Sequence, residues 1–237
     1  MTRSPIWQAI AETLQTEIAE GHYAPGDRLP TEAGLAARFG VNRHTVRHAL
    51  AALSDRGLIH TRRGSGAFVA ARPADYALGR RTRFHQNLAA AGRSPARQIT
   101  RAETRPCDAG EAAALALPPG APVHVVEGIS SADGVALAQF RSVFPADRLP
   151  GLLDRLTETA SITAALAAEG VADYTRASTR LTAMAAPPVL ALALRLAEGA
   201  PVLRATSVNV DATGRPVEFG TTWFAGDRVT LTVTPEL

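Results

Sequence analysis

Between Asn42 and Ala49 the chain reads Arg43-His44-Thr45-Val46-Arg47-His48, hydrogen-bonding side chains around a single valine. Donors of this kind match the acceptor edges of base pairs in a major groove, and one arginine can bond guanine O6 and N7 together. A second group follows at Arg62-Arg63-Gly64-Ser65-Gly66. Its small residues allow close backbone approach to a polyanion, and its arginines can meet phosphate or a narrow minor groove. Farther on, Arg80-Arg81-Thr82-Arg83 is either a solvated interdomain link or an anion site, since arginine favours planar and phosphate-like anions. Arg176, beside Thr175, is a ligand contact or a surface ion-pair partner. Arg176, Ser178 and Arg180 alternate, which predicts that they share one polar face of a strand. Glu218 either orients a ligand amine or hydroxyl or neutralises a pocket arginine.

The charge is unevenly spread. The 237 residues carry a formal net charge of +3, with a sequence pI near 9.7. Every basic residue counted as Lys or Arg is arginine. Residues 1–72 hold nine Arg and six acids, residues 73–105 seven Arg and two acids, and residues 106–237 nine Arg and fourteen acids. A basic front and an acidic rear imply a polyanionic partner for the front alone. Cys107 is the sole cysteine, so neither an intramolecular disulfide nor a Cys-rich zinc site is available. The N-terminal run reads as an amphipathic helix and not a signal peptide. The longest weakly polar stretch, Pro187 to Ala197, is too short to span a bilayer and contains Arg195. A cytoplasmic protein with no membrane partner and no cofactor is expected.

The elements that must position the first group are legible. Ile6, Ala9, Ile10, Leu14 and Ile18 recur at helical spacing behind Ser4-Pro5, and Gly21 ends that helix. Tyr23 to Asp27 is a turn. Thr31 caps a short helix over Glu32–Phe39, broken by Gly40. Asn42 caps a third helix reaching about Arg56, with Val46, Leu50 and Leu53 inward and Gly57 as its stop. Two helices joined through Gly-Val-Asn make a helix-turn-helix. The polar run lies at the start of the second, the end that such helices present to bases. Residues 58–63 and 67–70 predict two strands around Gly64-Ser65-Gly66, a hairpin wing. The expected DNA contacts are Thr31, Arg43, His44, Thr45, Arg47, His48, Arg62, Arg63, Gly64, Ser65 and Gly66.

The stretch PGDRLPTEAGLAARFGVNRHTVRHALAALSDRGLIHTRRGSGAFV resembles the GntR-family winged helix throughout. The resemblance rests on PG-x-x-LP-x-E, the VNRHTVR run and the G-x-G wing. It implies operator contacts from Arg43, His44, Thr45 and Arg47, with Arg63 and Gly64 at the wing. Ala33 stands where some members carry arginine.

Arg72-Pro73-Ala74-Asp75 marks a boundary, giving a DNA-binding domain over 1–72 and a second domain over 73–237, with 73–83 as linker. The second domain reads as mixed α+β. Strands are expected at Val123–Ser130, Val135–Phe144, Arg176–Met184, Val202–Asp211 and Pro216–Phe224. Helices are expected at Ala109–Leu117, Leu149–Leu156, Ile162–Glu169 and Pro188–Leu196. Gly-Ala-Pro-Val occurs at Gly120 and again at Gly199, each after a short helix and before a hairpin. This pseudo-repeat predicts an antiparallel sheet with packed helices. The pattern resembles the chorismate-lyase-like UTRA effector domain of the HutC subfamily. RPADYALGRRTRFHQNLAAAG resembles its phosphonate-metabolism regulator branch, the PhnF type, with His85 replacing a usual serine. The resemblance implies a homodimer on a near-palindromic double-stranded operator, a small anionic effector such as a phosphonate, and repression or activation of phosphonate uptake and degradation genes. Its effector positions map to Arg83, Phe84, His85, Thr175, Arg176 and Glu218, to which the strand-face argument adds Ser178 and Arg180. Gly128 and Ser130 stand where sugar-phosphate-binding relatives carry arginines.

Three rival classes compete with this reading. A HutC-type regulator of another pathway would answer to a different anion. An enzyme of chorismate-lyase-like fold would need a nucleophile–base pair, metal-ligand spacing or a glycine-rich phosphate loop, and none is legible. A non-specific architectural DNA protein would not need a large globular second domain with a polar pocket and an acidic rear, residues 106–237.

Overall fold

The computed structural model describes residues 5–62, 66–70, 73–81, 84, 88–89, 92, 94–159 and 161–233, with Arg62 described by its backbone. They form two compact units, Met1–Arg72 and Pro73–Leu237.

The first unit is three helices and a hairpin. Helix α1, Ile6–Ala19, buries Ile10, Ala11 and Leu14. Helix α2, Glu32–Phe39, is capped by Thr31, whose hydroxyl accepts from the Gly34 amide at 3.1 Å. It ends at Gly40 with φ +65, a left-handed position that suits glycine. Helix α3, Arg43–Asp55, starts at Asn42, whose Oδ1 accepts from the Thr45 amide at 2.8 Å. Val46, Ala49, Leu50 and Leu53 of α3 pack with Leu14, Leu29 and Leu35 in one apolar core. Strands β1, Ile59–Arg62, and β2, Gly66–Val69, pair antiparallel in the expected wing. The turn before α2 is stitched to β2 by Leu29 N to Ala67 O and Val69 N to Asp27 O, both 2.9 Å.

The second unit is an α+β fold. Its sheet comprises β4 (Pro95–Pro106), β5 (Pro122–Ala132), β6 (Val135–Pro145), β7 (Tyr174–Ala185), β8 (Pro201–Asp211) and β9 (Pro216–Ala225). They lie in the order β4-β5-β6-β9-β8-β7, and every pairing is antiparallel. Helix α4, Ala109–Leu115, precedes the β5–β6 hairpin, and helix α7, Pro188–Leu194, precedes the β8–β9 hairpin. Both helices end on a left-handed residue, Ala116 and Arg195 at φ 53, and both following turns use a left-handed glycine, Gly120 and Gly199. The Gly-Ala-Pro-Val repeat is therefore a repeat of backbone conformation.

Strand alternation sends the two faces of the sheet to different partners. Val125, Val143 and Phe219 meet α4, while Val202, Met184 and Trp223 meet α7. On the other face, Val126, Phe140 and Phe144 meet helices α5 (Leu152–Thr159) and α6 (Ile162–Ala168). Ala138, Ala205 and Phe224 meet Tyr76, Phe84 and Leu88 there.

Three features depart from the sequence reading. Helix α5 begins at Leu152 and not Leu149. Leu149 sits at φ −134, because a residue before proline is pushed out of the helical region. The segment read as linker contributes β3, Ala74–Ala77, which pairs parallel with β10, Val229–Thr232. Strand β4 had no sequence signature, since its positions are mostly exposed and polar, as suits a sheet edge.

Candidate nucleic-acid interface and effector pocket

The first two turns of α3 expose Arg43, His44, Arg47 and His48, while Val46 and Ala49 face the core. Two of these are already oriented. Arg47 Nε donates to Glu32 Oε1 at 3.3 Å and Nη2 to Oε2 at 2.9 Å. The hydrogen bond from Arg47 holds the Glu32 carboxyl below the usual carboxylate range. The His48 ring stacks on Trp7, with centroids 4.2 Å apart and planes 15° apart. The Thr45 hydroxyl donates to Asn42 Oδ1 at 3.0 Å and braces the cap of α3, while the Thr31 hydroxyl itself caps α2. Gly66, at φ +100, opens β2 where Arg28 lies against its backbone; a Cβ there would stand 3.1 Å from Arg28 Nε. Arg28 is exposed. Its proximity to the wing was hidden in sequence, because the bridge between Arg28 and Phe68 is a tertiary pairing. Arg63, Gly64, Ser65 and the Arg62 side chain lie outside the described residues.

In the second unit, the face of the sheet beneath α6 lines a cavity of about 360 Å³, within the range of small-molecule sites. Two arginines among the described residues reach it. Arg176 of β7 donates through Nε to Asn209 Oδ1 at 3.0 Å, and Nη1 approaches Thr179 Oγ1 at 3.5 Å. Asn209 Nδ2 donates to Glu218 Oε2 at 2.6 Å, and the Ser142 hydroxyl donates to Glu218 Oε1 at 2.6 Å. The buried Glu218 therefore fixes which way the Asn209 amide points, and Asn209 in turn aims Arg176. The second arginine is Arg97 of β4. Its guanidinium lies 4.6 Å from the Phe140 ring centroid and 5.7 Å from that of Phe84. Although the residue is only half-buried overall, its Nε is shut off from solvent and has no hydrogen-bond partner among the described residues. Burial lowers the Arg97 pKa, opposed by attraction to Glu218. Burial also pushes the Tyr76 hydroxyl up to about 12, so it stands in the cavity as a neutral donor.

Register explains how Arg97 comes to be there. Arg97 lies opposite Ser130, and Ile99 opposite Gly128. A Cβ on Gly128 would stand 2.2 Å from Gln98 O and 2.8 Å from the Phe140 ring. Glycine at 128 thus admits the ring on which Arg97 stacks.

Two family models match the chain: "Bacterial regulatory proteins, gntR family" over residues 7–69 and "UTRA domain" over residues 90–230. An uncharacterized HTH-type transcriptional regulator of Rhizobium meliloti, RB1450, is 39% identical over 96% of this chain and 94% of its own length. The probable transcriptional regulator PhnF of Escherichia coli is 32% identical over 96% and 94%. The crystal structure of PhnF from Mycobacterium smegmatis superposes with a TM-score of 0.66 at 28% identity, covering 96% of this chain and 99% of that one. The chain belongs to the GntR family, with a UTRA domain. These relatives are transcriptional regulators and not enzymes, and this GntR/UTRA protein is a transcriptional regulator of the same type, binding DNA and a small-molecule effector. No helix among its described residues is long and apolar enough to cross a membrane.

Of the effector residues expected from sequence, the structure of this GntR/UTRA regulator brings Phe84, Arg176 and Glu218 to the cavity. Thr175 does not line it. The expectation that Ser178 and Arg180 share the face of Arg176 is corrected by a β-bulge: Arg176 pairs with Asn209 and Ser178 with Val208, leaving Ala177 as the extra residue. A bulge resets the alternation, so Thr179 follows Arg176 and the other two turn away. Arg83 and His85 lie outside the described residues. Arg81 pairs with Asp173 at 2.6 Å. Arg97, Asn209, Ser142 and Ser207 also line the cavity and were not among the residues expected there. Only the register of β4 against β5, which sets Arg97 opposite Ser130, reveals Arg97.

Proposed function

We propose that this regulator is a homodimeric repressor of genes for phosphonate or phosphorus-compound uptake and degradation. In this reading, Met1–Arg72 binds a near-palindromic operator, and Pro73–Leu237 dimerises and binds a phosphonate- or phosphate-like anion that releases the operator. The observation that carries the anionic effector is Arg97, a cation whose buried Nε lacks a partner among the described residues, in the same cavity as Arg176. Guanidinium forks suit tetrahedral oxyanions, and the charge-assisted bonds are strong in a desolvated site. Support for phosphonate comes from the resemblance of Asp75 to Leu88 to that branch and from the PhnF relatives. Gly128 and Ser130 argue against an amino-sugar phosphate. A HutC-type regulator answering to another small anion is the alternative that the same experiment decides.

Recognition helices of a homodimer would enter successive major grooves about 34 Å apart. Effector and operator then oppose each other through a coupling free energy of about 1–3 kcal/mol, roughly a 5–150-fold change in affinity. The test is operator binding at fixed salt with phosphate, methylphosphonate, sulfate and a carboxylate as competitors. Arg47→Ala is expected to weaken operator binding and leave anion binding intact, and Arg176→Ala to do the reverse. If both variants are silent in both assays, the assignment is wrong.

A further inference from the structure

Arg47 is half-engaged before any DNA arrives. Its Nε and Nη2 make the side-on fork to Glu32, tying α3 to the first turn of α2. A guanidinium carries five N–H groups around a rigid plane. Glu32 takes the Nε edge. The opposite edge, Nη1 with the outward N–H of Nη2, makes no hydrogen bond among the described residues, and the side chain is 63% exposed. Guanine presents O6 and N7 side by side in the major groove, and the free end of the fork matches that pair.

We propose that Glu32 is a positioning residue for base reading: it holds Arg47 in the rotamer whose free edge selects a guanine at one position of each half-site. This rests on the placement of α3 in the groove. An unrestrained arginine loses rotamer entropy on binding, and the clamp removes part of that cost in advance. The opposing effect is repulsion of phosphates by the Glu32 carboxylate. That repulsion is screened over a Debye length of about 8 Å at physiological salt and is blind to sequence. Specificity therefore separates the two effects where affinity alone does not.

The experiment is selection of duplexes from a randomised pool by the full chain, as wild type, Arg47→Ala, Glu32→Gln and Glu32→Asp, with non-specific binding and its salt slope measured for each. Wild type is expected to enrich a guanine whose selection disappears in Arg47→Ala. Glu32→Gln is expected to lower discrimination at that position about tenfold, with non-specific binding changed no more than about twofold. Glu32→Asp keeps the charge but shortens the reach, and is expected to behave like Glu32→Gln. Retained non-specific binding and an unchanged melting temperature show that the variants are folded. The proposal is overturned if Glu32→Gln keeps the guanine preference while binding every duplex more tightly, because Glu32 would then only repel. It is equally overturned if Arg47→Ala leaves the preference in place.

Discussion

Replacing Arg97 by methionine should separate the stability of the second unit from its function. The wild-type side chain holds a guanidinium against Phe140 and Phe84 with a buried Nε that lacks a partner among the described residues. An unsatisfied buried donor costs about 1–3 kcal/mol, and desolvating a charged group adds to this. Against that stand a cation–π contact worth up to about 2 kcal/mol when desolvated and attraction to Glu218. Methionine keeps most of the stem and gains sulfur–aromatic contact of about 0.3–1.5 kcal/mol. The unliganded protein should therefore be unchanged or more stable by about 1 kcal/mol, a rise of roughly 2–4 °C for a unit of this size. The anion loses charge-assisted bonds of about 1.5–3 kcal/mol each, so its affinity should fall roughly 10–100-fold. Melting curves across a phosphate or methylphosphonate titration read both quantities, because a ligand of the native state raises the midpoint. The reasoning is refuted if Arg97→Met melts several degrees lower without ligand yet keeps the full anion-dependent rise.

Four further outcomes are expected. Arg228 is buried and donates to Ala136 O at 2.6 Å, Leu194 O at 2.8 Å and Arg195 O at 3.1 Å, so Arg228→Met should cost about 3 kcal/mol in urea unfolding by orphaning those carbonyls. Gly128→Ala should cost about 3 kcal/mol or abolish folding, since its Cβ meets backbone as well as a ring; wild-type-like unfolding would contradict the packing described. Asn42→Ala should lose about 1 kcal/mol of capping and weaken operator binding, read by melting and by titration with DNA. Hydrogen bonds from Arg105 hold Glu111 below its ordinary value, against the opposing effect of burial. In Asp211, burial acts upward but is outweighed by hydrogen bonds from Thr213, Arg215 and Arg148, which leave it lowered. A lowered folded pKa means that the stabilisation is complete above the unfolded value and is lost as pH falls toward the folded one. Unfolding free energy should thus drop below about pH 4.5, with a shallower slope in Asp211→Asn; an unchanged slope would remove Asp211 from the account.

Much of the first unit was legible because its signals are local. Thr31 and Asn42 cap, Gly40 and Gly57 stop, and the 3.6-residue spacing of Val46, Leu50 and Leu53 requires only that a helix find a core. The Gly-Ala-Pro-Val repeat likewise announced both hairpins, since the turn it encodes depends on a left-handed glycine and a proline-started strand. The charge order also set a basic front, residues 1–105, apart from an acidic rear, residues 106–237. What surrounds the cavity was not legible in the same way. Ser178 and Arg180 read as neighbours of Arg176 until a single bulged residue reversed their face. Asn209 and Glu218 became an aiming device for Arg176 only through the pairing of β8 with β9. Arg97 looked like one arginine among many until β4 laid it against β5, opposite Ser130 and over Phe140. Local conformation follows from side-chain sterics and capping within a few residues, and the sequence by itself determines it. Which charges meet across a sheet depends on register between distant strands, and burial of the whole face decides that.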